Sequence, residues 1–288
     1  MSYTNGGYNP DSPTVYKRYA DRTAQRCAHY LIPHLRPTSH ILDVGCGPGS
    51  ITAGLADLCP AGRVVGVDLT EGVINEARSL YGDKTGLTFE TGNAEALTQF
   101  EDGSFDVVHA HACVVHLADP VAAFREFRRV VKPGGVVATA DPLIPAILSI
   151  TPDLPGLRES FSLKGEWMRS QGSNPDAGME KEKWARAGGF GEKDGGRIET
   201  FVEGFAHSNT LNPLRLSDEF RERVVEEGRA TREQVELWTE AWRKWEESEG
   251  REVVTPHLKM LCWKGKGGEV NGINGHGSSG VNGRAVEV

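Results

Sequence analysis

The chain has 288 residues, a formal net charge of −8, and 38% hydrophobic against 25% charged residues. That length suits one large domain better than two small ones, and the mild acidity with no basic cluster argues against a nucleic-acid substrate. No run approaches the ~20 apolar residues of a membrane span, and the polar stretch 1–13 has no signal-peptide core. The five cysteines have no paired spacing, which reads as reduced thiols in a soluble, cytoplasmic protein.

In chain order, residues 1–12 are expected to form a flexible arm. Over 13–35, Val15, Tyr19, Thr23, Cys27, Tyr30 and Leu31 recur at helical spacing, until Pro33 and Pro37 end the run. The apolar stretch His40–Val44 then reads as a buried strand. It breaks into a turn carrying Gly45, Gly47 and Gly49, and a helix over 51–58 follows. Strand, glycine turn and helix start form the first unit of a nucleotide-binding α/β fold. Glycines allow a sharp turn and leave no Cβ where a ligand lies against the backbone. The spacing is neither the G-x-G-x-x-G of dinucleotide enzymes nor a P-loop. A second strand, 64–67, runs into Asp68, about 20 residues beyond the loop, where an acid accepts both hydroxyls of a ribose. Together these features point to a nucleoside ligand without phosphates.

A helix over 71–81 with Val73, Ala77 and Leu80 inward precedes a short strand at 87–90 and the loop Gly92-Asn-Ala-Glu95. A strand at 105–110, an amphipathic helix at 118–131 stopped by Lys132-Pro-Gly-Gly135, and a strand at 136–140 complete the alternation, which implies parallel crossovers in a doubly wound sheet. Beyond Asp141 the periodicity weakens. Helices are expected over 157–171, 180–188 and 217–227, a strand over 197–210, and a last strand over 253–263 despite Pro256. Thr231-x-x-Gln234 is a capping-box pattern opening another helix. Its Trp238, Trp242 and Trp245 share one face, which reads as a packing stripe in preference to a substrate platform. The Gly/Asn/Ser-rich stretch 264–288 reads as a disordered tail.

Asp43-Val-Gly-Cys-Gly-Pro-Gly49, Val67-Asp-Leu69, Gly92-Asn-Ala-Glu95, Phe105-Asp-Val-Val108 and Val131-Lys-Pro-Gly-Gly135, in this order, resemble the motifs of class I S-adenosylmethionine (SAM) methyltransferases. The chain is most similar to the small-molecule group of ubiquinone- and menaquinone-biosynthesis enzymes. The resemblance covers roughly 15–145 strongly and the rest to about 263 in outline. It implies a Rossmann-like, seven-stranded, mostly parallel sheet with an antiparallel last strand. The domain would span 13–263, with helical lid insertions near 142–195 and 211–250. It implies SAM as cofactor, S-adenosylhomocysteine (SAH) as product, a small-molecule methyl acceptor and a monomer or homodimer.

Carried onto this chain, Tyr19, Arg22 and Gln25 are the candidates to face the SAM carboxylate. Arg22 is preferred because a guanidinium pairs well with a carboxylate; a solvated surface arginine is the alternative. Asp43 orients the loop whose Gly45, Cys46, Gly47 and Gly49 meet the methionyl part. Asp68 holds the ribose, Leu69 lies on an adenine face, and Asn93, Ala94 and Glu95 form the loop at the adenine edge. Asn93 could instead cap a turn.

His109, His111, Cys113 and His116 crowd eight positions and raise a metal reading, which the strand-to-loop geometry disfavours. The resemblance places this stretch beside the methionine end of SAM and the acceptor. His111 is then the first candidate general base, Asp141 the second, and His116 an acceptor-pocket group or a packing residue. Phe161, Trp167 and Met168 fall in the lid insertion and suggest a largely apolar acceptor. The leading function is in-line methyl transfer to a small biosynthetic metabolite of the secondary-metabolism kind. The alternatives are a cyclase or isomerase that keeps SAM without transferring its methyl, and a binding protein with a vestigial site.

Overall fold

The computed structural model describes residues 22–266 apart from 145, 171–172, 208–215 and 217. Tyr19, the arm 1–12 and most of the tail 264–288 lie outside the described residues. The run over 13–35 is not one helix where it is described. Helix α1 is a single turn, Ala24–Cys27, whose N-cap Thr23 is extended and accepts from the Arg26 N–H. Ala28 leaves the helical region, and Ile32–His34 forms a separate 3-10 turn around Pro33.

Strands β1 (His40–Val44), β2 (Arg63–Asp68), β3 (Leu87–Thr91), β4 (Phe105–His111) and β5 (Val131–Pro142) alternate with helices α2 (Ser50–Leu58), α3 (Glu71–Tyr81) and α4 (Pro120–Val130). Each neighbouring pair of these strands is parallel. β5 begins directly at the end of α4, and the Lys132–Gly135 turn appears as an irregularity in its register with β4. α3 turns Val73, Ile74 and Ala77 inward and leaves Leu80 half-exposed, so Ile74 takes the place expected of Leu80.

The remainder is β6 (Ser149–Thr151), α5 (Leu157–Ser170), α6 (Ala177–Ala187), β7 (Arg197–His207), α7 (Asp218–Glu226), α8 (Arg232–Glu247) and β8 (Glu252–Trp263). The sheet order is β3-β2-β1-β4-β5-β8. β8 runs antiparallel to β5, to the short β6 and, along its whole length, to β7. This is a Rossmann-like mixed sheet with helical insertions, and the three-residue β6 is an addition to the seven strands expected.

Alternation along the strands divides the core into two layers. Ile41, Val107, Ala138 and Leu261 face α1, α2 and α3. Leu42, Val108, Val137 and Met260 face α4 and the helices of the insertions. α8 opens with the complete capping box of Thr231 and Gln234. It buries Trp238, Trp242 and Trp245, with the Trp242 Nε1 donating to Ser160 at 3.0 Å and the Trp238 Nε1 to Glu159 at 3.1 Å. Phe161, Trp167 and Met168 are buried in the same layer and fill the inside of the insertion. No helix among the described residues is long and apolar enough to cross a membrane.

Candidate active site

The C-terminal ends of β1, β2 and β4 open onto one cavity, the place where open α/β sheets bind ligands. Of the residues singled out in sequence, Arg22, Asp43, Gly45, Cys46, Gly47, Asp68, Leu69, Asn93, Ala94, His111 and His116 line it. Gly49, Glu95 and Asp141 are not among its lining residues.

The glycine turn explains the first difference. Gly45, Gly47 and Gly49 all have positive φ, at 70°, 55° and 86°. A Cβ on Gly49 would stand 2.7 Å from the Phe89 ring, whereas one on Gly47 would meet nothing within 4 Å. Gly49 therefore serves the packing of α2 on the sheet, and Gly47 leaves the bare surface. The turn is tied to β2, since the Gly45 and Cys46 N–H groups both donate to the Val67 carbonyl, at 2.8 and 3.0 Å. The Gly47 N–H donates to Asp68 Oδ2 at 3.1 Å, and the Thr70 N–H to Asp68 Oδ1 at 3.1 Å. The three loop amides are thus held within the protein. What the loop offers a ligand is its Cα surface and carbonyl oxygens. Burial lifts the Asp68 carboxyl above the ordinary carboxylate range.

Asp43 is buried under the turn. It accepts the Thr52 hydroxyl at 2.6 Å, and its other oxygen lies 2.7 Å from His109 Nδ1. Asp43 and His109 are register partners in β1 and β4, so this link crosses the sheet and fixes the strand ends that carry the cavity. His109 is fully buried and belongs to the scaffold. Asn93 accepts the Glu95 N–H at 2.9 Å, an Asx turn, while still lining the cavity. Glu95 turns away. Its Oε1 accepts the Ala118 and Asp119 N–H groups at 2.8 and 2.9 Å, satisfying the approach to α4.

Past β4, Ala112 has φ of 50°, the one non-glycine residue with positive φ among those described. Its N–H donates to the Ala140 carbonyl at 2.7 Å, and a 3-10 turn, Val114–His116, follows. Cys113, His116 and Leu117 from this loop line the cavity. Together with Ser50, Ile51 and Thr70 at the N-terminal ends of helices, Leu117 belongs to the wall that sequence reasoning did not single out, while Cys113 was noted only within the histidine cluster. Their signal was adjacency to the motifs.

His111 is 6% exposed, and neither ring nitrogen has a hydrogen-bond partner among the described residues. Its ring stacks on His257 with centroids 5.9 Å apart. Burial, and then the nearby Arg22 guanidinium, holds its pKa well below the ordinary histidine value. That direction favours the neutral form of its imidazole.

Asp141 does not share this side. Ala140 is the register partner of His111, so the next residue of β5 points to the opposite face of the sheet. Its carboxylate accepts the Val114 N–H at 3.1 Å and the Lys181 ammonium at 3.3 Å, fully buried. It does not line the cavity. Among the described residues no three His, Cys, Asp or Glu side chains converge as a metal site, and all five cysteines are free thiols.

Residues 42–139 match the family described as a methyltransferase domain. Over that third of its length the chain is similar to a methyltransferase domain. An uncharacterized methyltransferase of Schizosaccharomyces pombe is 34% identical over 181 residues, covering 59% of this chain and 63% of that protein. A protein of Aspergillus luteorubrus, ltbC, named as a methyltransferase, is 29% identical over 267 residues, covering 84% of this chain and 92% of its own. In structure, the phosphoethanolamine N-methyltransferase 2 of Haemonchus contortus superposes with a TM-score of 0.56 at 19% identity, over 92% of this chain and 60% of that one. The YcgJ protein of Bacillus subtilis superposes with a TM-score of 0.53 at 17% identity, over 83% and 98%. These two likenesses establish the fold. The matched methyltransferase span holds Asp43, the glycine turn, Asp68 and His111, and leaves Arg22, the end of β5 and everything after it outside.

Proposed function

We propose that this protein is a SAM-dependent methyltransferase acting on a small molecule, with SAM held in the cavity at the ends of β1, β2 and β4. One observation carries the reading: five separate stretches, around Arg22, Gly45–Gly47, Asp68, Asn93 and His111, meet in a single cavity. The donor set fits the cofactor. The two Asp68 oxygens accept the Gly47, Thr70 and Leu69 N–H groups and, with about four lone-pair sites between them, keep acceptor capacity for a ribose hydroxyl. Arg22 pairs with an amino-acid carboxylate. Leu69, 44% exposed at the cavity wall, gives an adenine ring an apolar surface. Asn93 and Ala94 lie at its edge, and bare Gly47 admits the methionyl chain.

When bound, SAM supplies an electrophilic methyl group on its sulfonium. The protein's task is to hold an acceptor in line at about 3 Å, and such orientation is worth roughly 7–11 kcal/mol at best. His111 takes the proton from the acceptor at a ring nitrogen, which its neutral, unpartnered state allows. His116, Cys113 and Leu117 line the loop side of the cavity, and their mixed character favours an acceptor with an apolar body and a protonated polar group.

Calorimetric titration with SAM and SAH, on the wild type and on Asp68→Ala, tests the cofactor site. Micromolar binding that is lost in the variant is the expected result, and absence of binding in the wild type would sink the proposal. Product mass then separates methyl transfer, with SAH released, from an isomerisation that leaves SAM intact. His111→Ala tests the base: unchanged turnover across the pH range would remove that role.

A further inference from the structure

The mechanism above makes no use of the most deeply buried charged pair in the described part of the molecule. Lys181 on α6 and Asp141 on β5 are both fully buried, 3.3 Å apart, on the sheet face opposite His111. The ammonium also donates to the Thr139 carbonyl at 3.3 Å and to the Leu258 carbonyl, so it joins β5 to β8. Close approach of α6 makes this possible. Gly178, one turn before Lys181, packs closely on β5: a Cβ there would stand 2.5 Å from the end of the Leu143 side chain, which would have to shift, and 3.5 Å from the Asp141 carbonyl oxygen.

A buried ion pair contributes little net stability compared with an apolar filling of the same space. This pair has a geometric consequence. The second Asp141 oxygen accepts the Val114 N–H at 3.1 Å, and Val114 begins the 3-10 turn whose Cys113 and His116 face the cavity. The segment leading into α6 grips the same turn, since the Asn174 N–H donates to the Val115 carbonyl at 3.1 Å. Just upstream, Ala112 is held at positive φ, a conformation that surrounding structure must enforce.

We propose that Lys181 and Asp141 are positioning residues that fix the cavity loop 112–117 from behind the sheet. Lys181 lets Asp141 remain an acceptor in an apolar interior, and Asp141 passes that constraint to Val114. The insertion thereby sets the shape of a cavity wall to which none of its described residues contributes.

The test uses the full chain and two double variants. Lys181→Met with Asp141→Asn removes both charges but keeps an oxygen for the Val114 N–H. Lys181→Met with Asp141→Leu removes that oxygen too. Hydrogen exchange of amides 112–117 and calorimetric affinity for SAH are measured on each. The Asn variant is expected to stay within about threefold of wild type in both, and the Leu variant to exchange this loop and lose SAH affinity by about tenfold or more. Wild-type exchange and affinity in the Leu variant, or equal impairment in the two, would overturn the proposal. Should the Leu variant not fold, Lys181→Met alone decides. The proposal requires faster exchange confined to 112–117 and the adjoining α6, and unchanged exchange there refutes it. The affinity arm rests on the cofactor reading above, but the exchange arm does not. If wild type fails to bind SAH, that reading falls and exchange alone judges the brace.

Discussion

Residues 40–142 and residues 143–263 are built into the same sheet in different ways. The first stretch lays down five parallel strands joined by helices, and with Arg22 it supplies every described residue of the cavity wall. The second wraps antiparallel strands and four helices around one edge, and none of its described residues lines the cavity. One region carries the candidate cavity, and the other packs along that region's edge. Binding and stability should therefore respond to different substitutions.

The largest expected effect falls in the second region. Trp242→Ala should cost about 3–5 kcal/mol of stability, because a buried indole and its bond to Ser160 are removed. SAH affinity, measured well below the melting temperature, should be unchanged; a parallel loss of affinity would break the comparison. Asp68→Ala is the converse. It should weaken SAM roughly a hundredfold, about 2.7 kcal/mol, while lowering the melting temperature far less than Trp242→Ala does.

A third prediction concerns pH. The pKa of His111 is depressed in the folded state, so between that value and about 6.5 the unfolded chain binds a proton that the folded chain refuses. Its contribution is therefore fully present above about pH 6.5 and declines as pH falls, by at most about 1.4 kcal/mol per unit. Urea titrations from pH 8 to 5 should show this slope, and His111→Phe should flatten it. The smallest effect is that of Thr231→Ala. Removing the capping box should lower stability by about 1 kcal/mol and leave SAH affinity alone.

The two regions also differ in how far they could be read from sequence. In the first, structure follows from short-range chemistry. A strand that meets Gly45, Gly47 and Gly49 must turn, and an acid at the end of the next strand lies beside that turn, so the glycine loop and Asp68 were legible. Contacts across strands were not. Nothing local joins Asp43 to His109 and Thr52, and Glu95 sits within a cofactor motif while capping the approach to α4. Asp141 looked available because it ends a strand near the cavity. The register of β4 with β5, which only the folded sheet supplies, turns it away. In the second region, Lys181 sits between Glu180 and Glu182 in a charged helix and reads as a solvated lysine, because its burial depends on β5 and β8. The tryptophan stripe was legible as packing because a periodic apolar face needs no partner to be recognised.

The place of β8 has a consequence for how the chain is made. It is synthesised after every other described element, yet it lies between β5 and β7 and also pairs with β6. On the ribosome the first five strands can pair as they emerge, while β5 presents an open edge until residues 252–263 arrive. A bare edge is a template for wrong pairing. Chains truncated before residue 252 should therefore aggregate through β5 even though each of their strands is intact, and the vulnerable interval of synthesis is the emergence of the insertions.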